Sequence, residues 1–324
     1  MMNKFVFFIF GILLSVLGYS QDVSFSQVTN NKLYLNPAFT GSNSAPQLTM
    51  SYRNQWPALG NQFVTSMVTY EEYFSNINSG FGVLIMNDRS GGSIYSLNSI
   101  NTYYSNQQQI NRKVGVKFGL ELSYKQNFVD TDKLFFEDSF NGTSFTNNTS
   151  EVFFYDAKTH YFDMGTGVLL FSDKGFVGLS VNHLTEPDQT LSFGGSKLPR
   201  KYGLHGSYQF TINETRNKLK SIYYVPSFLL LRQGEFTELT LNNNIRNGKF
   251  LGGIGLRLVE GYDYRDALIF NIGVDTKDLM FFYSYDFTIS SLGPISGGAH
   301  ELSVLIKIKE RPKKKVHISP PCAF

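Results

Sequence analysis

Every second residue from Val114 to Tyr124 is apolar (Val114, Val116, Phe118, Leu120, Leu122, Tyr124), while the alternate set from Lys113 to Lys125 reads Lys, Gly, Lys, Gly, Glu, Ser, Lys. Strict period two marks a β-strand with one apolar and one wet face. Ordinary soluble strands run about five or six residues, whereas a tilted strand needs about 9 to 11 to cross a bilayer. The segment therefore predicts a strand long enough to span a membrane. The pattern recurs. Phe250, Ile254, Leu256 and Leu258 oppose Leu251, Gly253, Gly255 and Arg257. Leu268, Phe270, Ile272 and Val274 oppose a smaller, mixed set. Tyr202, Leu204, Tyr208 and Phe210 oppose Lys201, His205, Ser207 and Gln209. In hydrocarbon an open sheet edge would leave backbone N–H and C=O groups without partners, so many such strands imply closure. The expected fold is all-β: a transmembrane antiparallel β-barrel of about 14 strands, with both termini periplasmic.

Hydropathy alone would hide this architecture. Apolar residues make up 42% of the chain, yet mean hydropathy is −0.16 because alternation averages the two faces. The single continuous apolar run, 5–17 behind Lys4, ends in Gly18, Tyr19 and Ser20 and reads as a signal peptide over 1–20. The alternative of a membrane anchor needs a run of about 20 residues. Export leaves the lone Cys322 without an internal disulfide partner. Residues 21–40 lack sustained alternation and form an N-terminal segment that plugs the lumen or lies across the periplasmic mouth. The barrel occupies 41–309. The tail, 310–324, continues a basic cluster of Lys307, Lys309, Arg311, Lys313, Lys314 and Lys315. That tail reads either as a solvated end or as a dock for an acidic protein surface or lipid headgroups. A net charge of only +3 on an exported chain gives no case for nucleic acid.

Strands are predicted at 47–54, 63–72, 79–86, 93–105, 113–127, 161–172, 175–184, 201–212, 221–231, 236–246, 249–259, 266–275, 279–288 and 300–309. Bacterial barrels alternate short periplasmic turns with longer outer loops. Here the connections 128–160, 185–200 and 289–299 are long, while those at Asp173-Lys174 and Asn247-Gly248 are minimal. The connection at 233–235 breaks the parity. Asn-Gly is the strongest two-residue hairpin signal. Pro226 inside the ninth strand predicts a bulge or a strand break, because Pro removes a ladder hydrogen bond.

Catalytic signals are thin. His160, His183, His205, His300 and His317 are scattered and read as isolated polar residues, His205 on the lumen face. No GxSxG, HExxH, P-loop or paired-Cys spacing occurs, which argues against the corresponding hydrolase, zinc and nucleotide chemistries. Glu137 with Asp138, and Asp263 with Asp266, are carboxylates close in sequence within predicted loops that lack the ligand count of a calcium site. Asn-Xaa-Thr triplets at Asn141, Asn147 and Asn213 read as loop composition. No enzyme activity, cofactor or metal is expected.

Several short stretches carry more. Phe25-Ser26-Gln27, Leu35-Asn36-Pro37-Ala38-Phe39-Thr40-Gly41, Tyr52-Arg53-Asn54-Gln55-Trp56, Asn87-Asp88-Arg89-Ser90-Gly91-Gly92, Tyr285-Asp286-Phe287 and Gly297-Gly298-Ala299-His300-Glu301-Leu302-Ser303 follow in this order. The chain so marked resembles the PorP/SprF family of outer-membrane proteins of the Bacteroidetes type IX secretion system, over nearly all of the mature length. Pro321-Cys322-Ala323-Phe324 looks like that family's Cys-containing ending, without the expected Pro after the Cys. The resemblance implies a barrel that supports secretion or surface display of large proteins, gliding adhesins among them. It implies as partners outer-membrane lipid, a cargo with a type IX C-terminal sorting domain, and periplasmic or outer-membrane components of the same system. It leaves open the core machine or one dedicated adhesin.

The same resemblance makes Asn36, Pro37, Tyr52, Arg53, Trp56, Asp88, Arg89, His300 and Glu301 candidate partner contacts. Each also has a plainer reading. Trp56 suits an interface anchor. Arg53 suits a carboxylate partner inside the barrel, since a mid-bilayer Arg on the lipid face costs about 2 to 4 kcal/mol. Asp88 and Arg89 suit a turn, and Asn36-Pro37 a turn that sets the segment's entry. The rival functions are a passive or fatty-acid channel and, in another class, a barrel hydrolase with a convergent Ser, His and acid at one rim.

Overall fold

The computed structural model describes residues 22–43, 45–60, 63–134, 158–191, 195–215, 221–260, 264–276 and 278–308. The signal peptide, most of the long 128–160 connection with Glu137, Asp138, Asn141 and Asn147, Asp263, the basic tail, His317 and Cys322 lie outside them.

The strand that opened the argument is β5, Val114–Val129. Its faces are inverted relative to a soluble protein. Phe118, Leu120 and Leu122 are more than half exposed, while Lys117 is fully buried and Glu121, Ser123 and Lys125 are buried beside it. An apolar face turned outward is stable only against hydrocarbon, and a buried charged face needs partners within. Strands β1 Gln47–Gln55, β2 Phe63–Phe74, β3 Ser79–Ser90, β4 Tyr95–Gln109, β6 Lys158–Ser172, β7 Gly175–Asn182, β8 Lys201–Tyr208, β9 Phe210–Asn213, β10 Ile222–Gln233, β11 Phe236–Asn247, β12 Phe250–Val259, β13 Arg265–Asp275, β14 Leu279–Thr288 and β15 Ala299–Lys307 complete the wall. All neighbours pair antiparallel, β1 with β15 and β10 with β11, so the sheet returns on itself and has no free edge. Because β8 and β9 are two halves of one stave, the described residues form a closed barrel of fourteen staves.

Connections at one end run over 56–62, 91–94, 130–157, 183–200, 234–235, 260–264 and 289–298; those at the other end cover 75–78, 110–113, 173–174, 214–221, 248–249 and 276–278. These are the long-loop and short-turn ends. β1 starts and β15 finishes at the short-turn end; the chain termini themselves fall outside the described residues.

Two local expectations are corrected. Asp88 and Arg89 are not turn residues. They extend β3, opposite Thr65 and Val64 of β2, and the turn begins only at Gly91 and Gly92, whose positive φ suits glycine. Pro226 breaks its neighbour rather than its own strand. β10 continues through it in register with β11, Pro226 opposite Asn243. The Pro226 carbonyl accepts from Ser207 Oγ of β8, at 3.1 Å. N–H and C=O of a strand residue point to the same side, so the missing donor faces β8 and β9, and there the stave is interrupted at Gln209.

Candidate functional site

The inward faces of these strands do not enclose an empty lumen. Residues 22–43 run through it, from Asp22 at the long-loop end to Ser42 at the short-turn end. The segment makes one helical turn, α1 Lys32–Leu35, and a 3-10 turn, Pro37–Phe39. Asn36, Ala38, Phe39 and Thr40 are fully or almost fully buried. So short a helix has little stability of its own. Contacts with the wall hold it, in three tiers.

The first tier is a lock around Ser26. The Ser26 hydroxyl donates to Asp286 Oδ2 at 2.6 Å and accepts from Arg53 Nη1 at 2.7 Å and Arg257 Nη2 at 2.8 Å. A hydroxyl has one donor and two acceptor sites, and all three are used on charged groups. Arg53 also pairs with Asp286 at 3.0 Å and Glu301 at 3.2 Å, and Arg257 with Asp286 at 3.0 Å. Sheet closure causes the meeting, since Arg53 of β1 lies directly opposite Glu301 of β15. Glu301 then accepts the backbone N–H groups of Ser26 and Gln27, at 2.7 and 3.3 Å, and the Asn31 amide at 3.0 Å. Two guanidinium groups face Asp286 and Glu301, with Asp266 at 3.3 Å and Glu238 at 3.7 Å also beside Arg257, so every buried charge has an opposite charge next to it, although Arg53 Nε, Arg257 Nε and Asp286 Oδ1 make no hydrogen bond.

The second tier sits nearer the long loops. His183, at the end of β7, lies between two carboxylates: Nδ1 is 2.5 Å from Asp163 Oδ2 and Nε2 is 2.9 Å from Asp22 Oδ2. Asp22 also pairs with Lys201, whose ammonium lies over the Tyr34 ring at 4.6 Å. Burial works against the Asp22 anion, yet the charges of His183 and Lys201 hold its carboxyl well below the usual carboxylate range. Lys125 pairs with Asp163 at 3.5 Å.

The third tier is the seat at the other end. Asn36 caps the 3-10 turn, its Oδ1 accepting from Ala38 N at 2.8 Å, and Nδ2 donates to the carbonyls of Leu179 and Val168 at 3.0 and 3.3 Å. Pro37 occupies the first position of that turn, where a missing N–H costs nothing. The backbone can come this close because the wall is glycine: a Cβ on Gly119 would lie 2.1 Å from Ala38 N, and one on Gly167 1.9 Å from Asn36 Oδ1. Lys117 Nζ donates to Thr40 O at 2.7 Å, and Gly41 N donates to Glu71 Oε2 at 2.7 Å.

The candidate residues thus separate. Arg53 and Glu301 share the lock, and Asn36 and Pro37 form the seat. Asp88 is half-buried and accepts from Thr65 Oγ1 at 2.6 Å, beside the long-loop mouth. The others stay apart. Tyr52 and Arg89 are exposed, Trp56 packs edge-on against Phe63 at 5.3 Å, and His300 bonds the exposed Tyr283 hydroxyl at 2.8 Å and packs on Tyr285. Ser26, Asp22, Asp163, His183, Lys117, Arg257 and Asp286 belong to the site and were not singled out as such. The available signal was a charged residue on the wet face of a strand otherwise small and polar. His183 and His205 are also not isolated, as His205 lies 3.4 Å from the Asn36 amide.

Both ring nitrogens of His183 are taken by carboxylates, so it presents neither to a serine, as a hydrolase would require. Among the described residues no cluster of His, Cys, Asp and Glu is placed to hold a metal ion.

The family model described as type IX secretion system membrane protein PorP/SprF matches residues 17–306. No curated protein matches the chain in sequence. Among solved structures, the chain is similar to the toluene transporter TbuX of Ralstonia pickettii, with 10% identity, TM-score 0.49, and 84% of this chain and 90% of that chain covered. It is also similar to the P. putida toluene transporter TodX, with 11% identity, TM-score 0.45 and coverage of 85% and 93%. The outer membrane protein Omp33 of Acinetobacter baumannii matches with 6% identity, TM-score 0.45 and coverage of 83% and 100%.

Proposed function

We propose that this chain, which belongs to the PorP/SprF family of type IX secretion system membrane proteins, is a plugged, non-enzymatic partner that supports secretion, surface display or anchoring of a cargo protein. Family and barrel are those of an outer-membrane secretion component, integral to that membrane. The observation that carries the proposal is the lumen. A passive channel needs a continuous wet path, whereas here residues 22–43 are hydrogen-bonded or ion-paired to the inner faces of strands around most of the ring. In this reading the long-loop end is extracellular and meets the cargo, a gliding adhesin with a type IX C-terminal sorting domain being one such cargo. The loops at 130–157, 183–200 and 289–298 would form the meeting surface, with Asp88, Arg89 and Trp56 on its rim. The short-turn end and the basic tail would face periplasmic components.

A tagged pull-down from native membranes is expected to recover one surface protein together with periplasmic type IX components. Deleting the gene is expected to remove that protein from the surface proteome, and an unchanged surface proteome refutes the proposal. The channel alternative is separated by planar-bilayer recording. The intact barrel is expected to stay closed, and a variant lacking 22–40 to conduct.

A further inference from the structure

The ladder of the wall is interrupted where β8, β9 and β10 meet, and the gap opens toward the bilayer. β10 pairs with β8 from Ser227 opposite Ser207, and with β9 from Tyr224 opposite Phe210. Between those positions Val225 and Pro226 have no ladder partner on that side, Pro226 lacks an N–H, and the Gln209 N–H turns away to Lys174 O at 2.7 Å. A cavity of about 640 Å³ opens at this interruption. That is within the roughly 300–1,000 Å³ of ordinary ligand sites.

Its lining comes from both faces of the sheet. Leu170, Val177, Phe210 and Leu241 belong to the exposed apolar band, whereas Phe171, Phe176 and Asn242 are buried on the lumen side. The cavity therefore starts in the lipid-facing surface and passes into the thickness of the wall. It ends there. Phe176 meets Phe39 of the lumen segment edge-on at 5.0 Å, so the segment closes the inner side. No charged side chain lines the cavity. Among its polar groups, Ser207 Oγ donates to Pro226 O and Asn243 Oδ1 accepts from the Tyr224 hydroxyl at 2.6 Å. Asn242 Oδ1, on the lumen side, makes no hydrogen bond, and without a charged side chain the recess offers nothing to hold phosphate or an ion. An apolar chain is what such a surface accepts, and around a membrane-spanning wall the apolar chains at hand are those of the lipids.

We propose that this lateral recess is a binding site for one acyl chain of a membrane lipid, from the leaflet at the short-turn end where Val114, Ser172 and Gly175 begin or finish their strands. The chain enters between Phe210 and Val177 and stops at Phe176. It is held, not transported.

The test uses the full chain in phosphatidylethanolamine vesicles doped with a phosphatidylcholine carrying a diazirine at the end of one acyl chain, with cross-linked residues mapped by mass spectrometry. Labelling of the inward Phe171, Phe176 and Asn242 is expected, in addition to the outward Leu170 and Val177. Ser227→Phe, which fills the recess, is expected to abolish the inward labels and keep the outward ones, and Ser207→Phe serves if the first variant loses the heat-dependent gel shift of a folded barrel. Labels confined to outward residues mean ordinary boundary lipid and overturn the proposal. Inward labelling by the same diazirine placed on the headgroup overturns it as well.

Discussion

Replacing Ser26 by Ala should loosen the lumen segment without loosening the barrel. The hydroxyl makes three charge-assisted hydrogen bonds, to Asp286, Arg53 and Arg257. At about 1.5–3 kcal/mol each, simple addition would give roughly 5–9 kcal/mol. Addition is wrong here because the three bonds share one oxygen and their partners stay paired to one another when it is gone. The Arg53–Asp286, Arg53–Glu301 and Arg257–Asp286 pairs all survive the substitution. The net loss should be about 2–3 kcal/mol, a factor of roughly 30–150 in the equilibrium between seated and released segment. Hydrogen–deuterium exchange of the protein in lipid nanodiscs reads this directly. The Gln27 amide, which donates to Glu301 Oε1 at 3.3 Å, should exchange faster by that factor, while amides of β4 and β5 keep their rates. An unchanged rate at Gln27 would show that the lock contributes nothing to seating. An equal acceleration in β4 and β5 would show that segment and barrel open as one unit, and would refute the reasoning equally.

Arg53→Ala, which strands Glu301 with one fewer cation, should cost about 3–5 kcal/mol and lower the temperature at which the folded gel band disappears, more than Ser26→Ala does. Gly119→Val places a side chain where Ala38 N now lies, so residues 22–43 should leave the lumen and planar-bilayer conductance should appear in an otherwise folded barrel. Lys117→Met removes the ammonium that holds Thr40 O, and should raise exchange of the Gly41 amide more than that of Gln27. Asp22, whose carboxyl is held below its ordinary value, stabilises the seated segment as an anion. That contribution is fully present above the unfolded value of about 3.9 and is lost only as pH falls through the lower folded value. Asp22→Asn should therefore speed exchange of the segment at pH 7, and the difference from the native chain should vanish only in stronger acid; a difference that disappears near pH 6 contradicts the assignment.

The barrel was legible because its signal is local. The β5 alternation needs only neighbouring residues, and predicted 113–127 became Val114–Val129. The hairpin joining β11 to β12 was legible for the same reason, although its turn is Gly248-Lys249, one residue beyond the predicted Asn247-Gly248. Misreadings arose where a residue's role depends on something distant. Asp88 resembled a turn residue because it stands just before Gly91-Gly92, yet pairing with β2 extends the strand through it. Pro226 shows its effect across the ladder, at Gln209. The lock was least legible of all. Arg53 and Glu301 are separated by 248 residues, Ser26 and Asp286 by 260, and only closure of the ring makes them neighbours. A wet strand face announces that charges point inward and leaves their partners unnamed.

The path of residues 22–43 also constrains assembly. The segment enters at one rim and leaves at the other to begin β1, while the sheet around it is an unbroken loop. A strand of string inside a finished ring got there either by being pulled through end first or by being present when the ring was tied. Pulling Asp22, with its charge, through an interior lined by Lys117, Glu121 and Arg257 is the harder route. In the native chain the hairpins are therefore expected to gather around the segment, with the last seam joined over a lumen already occupied.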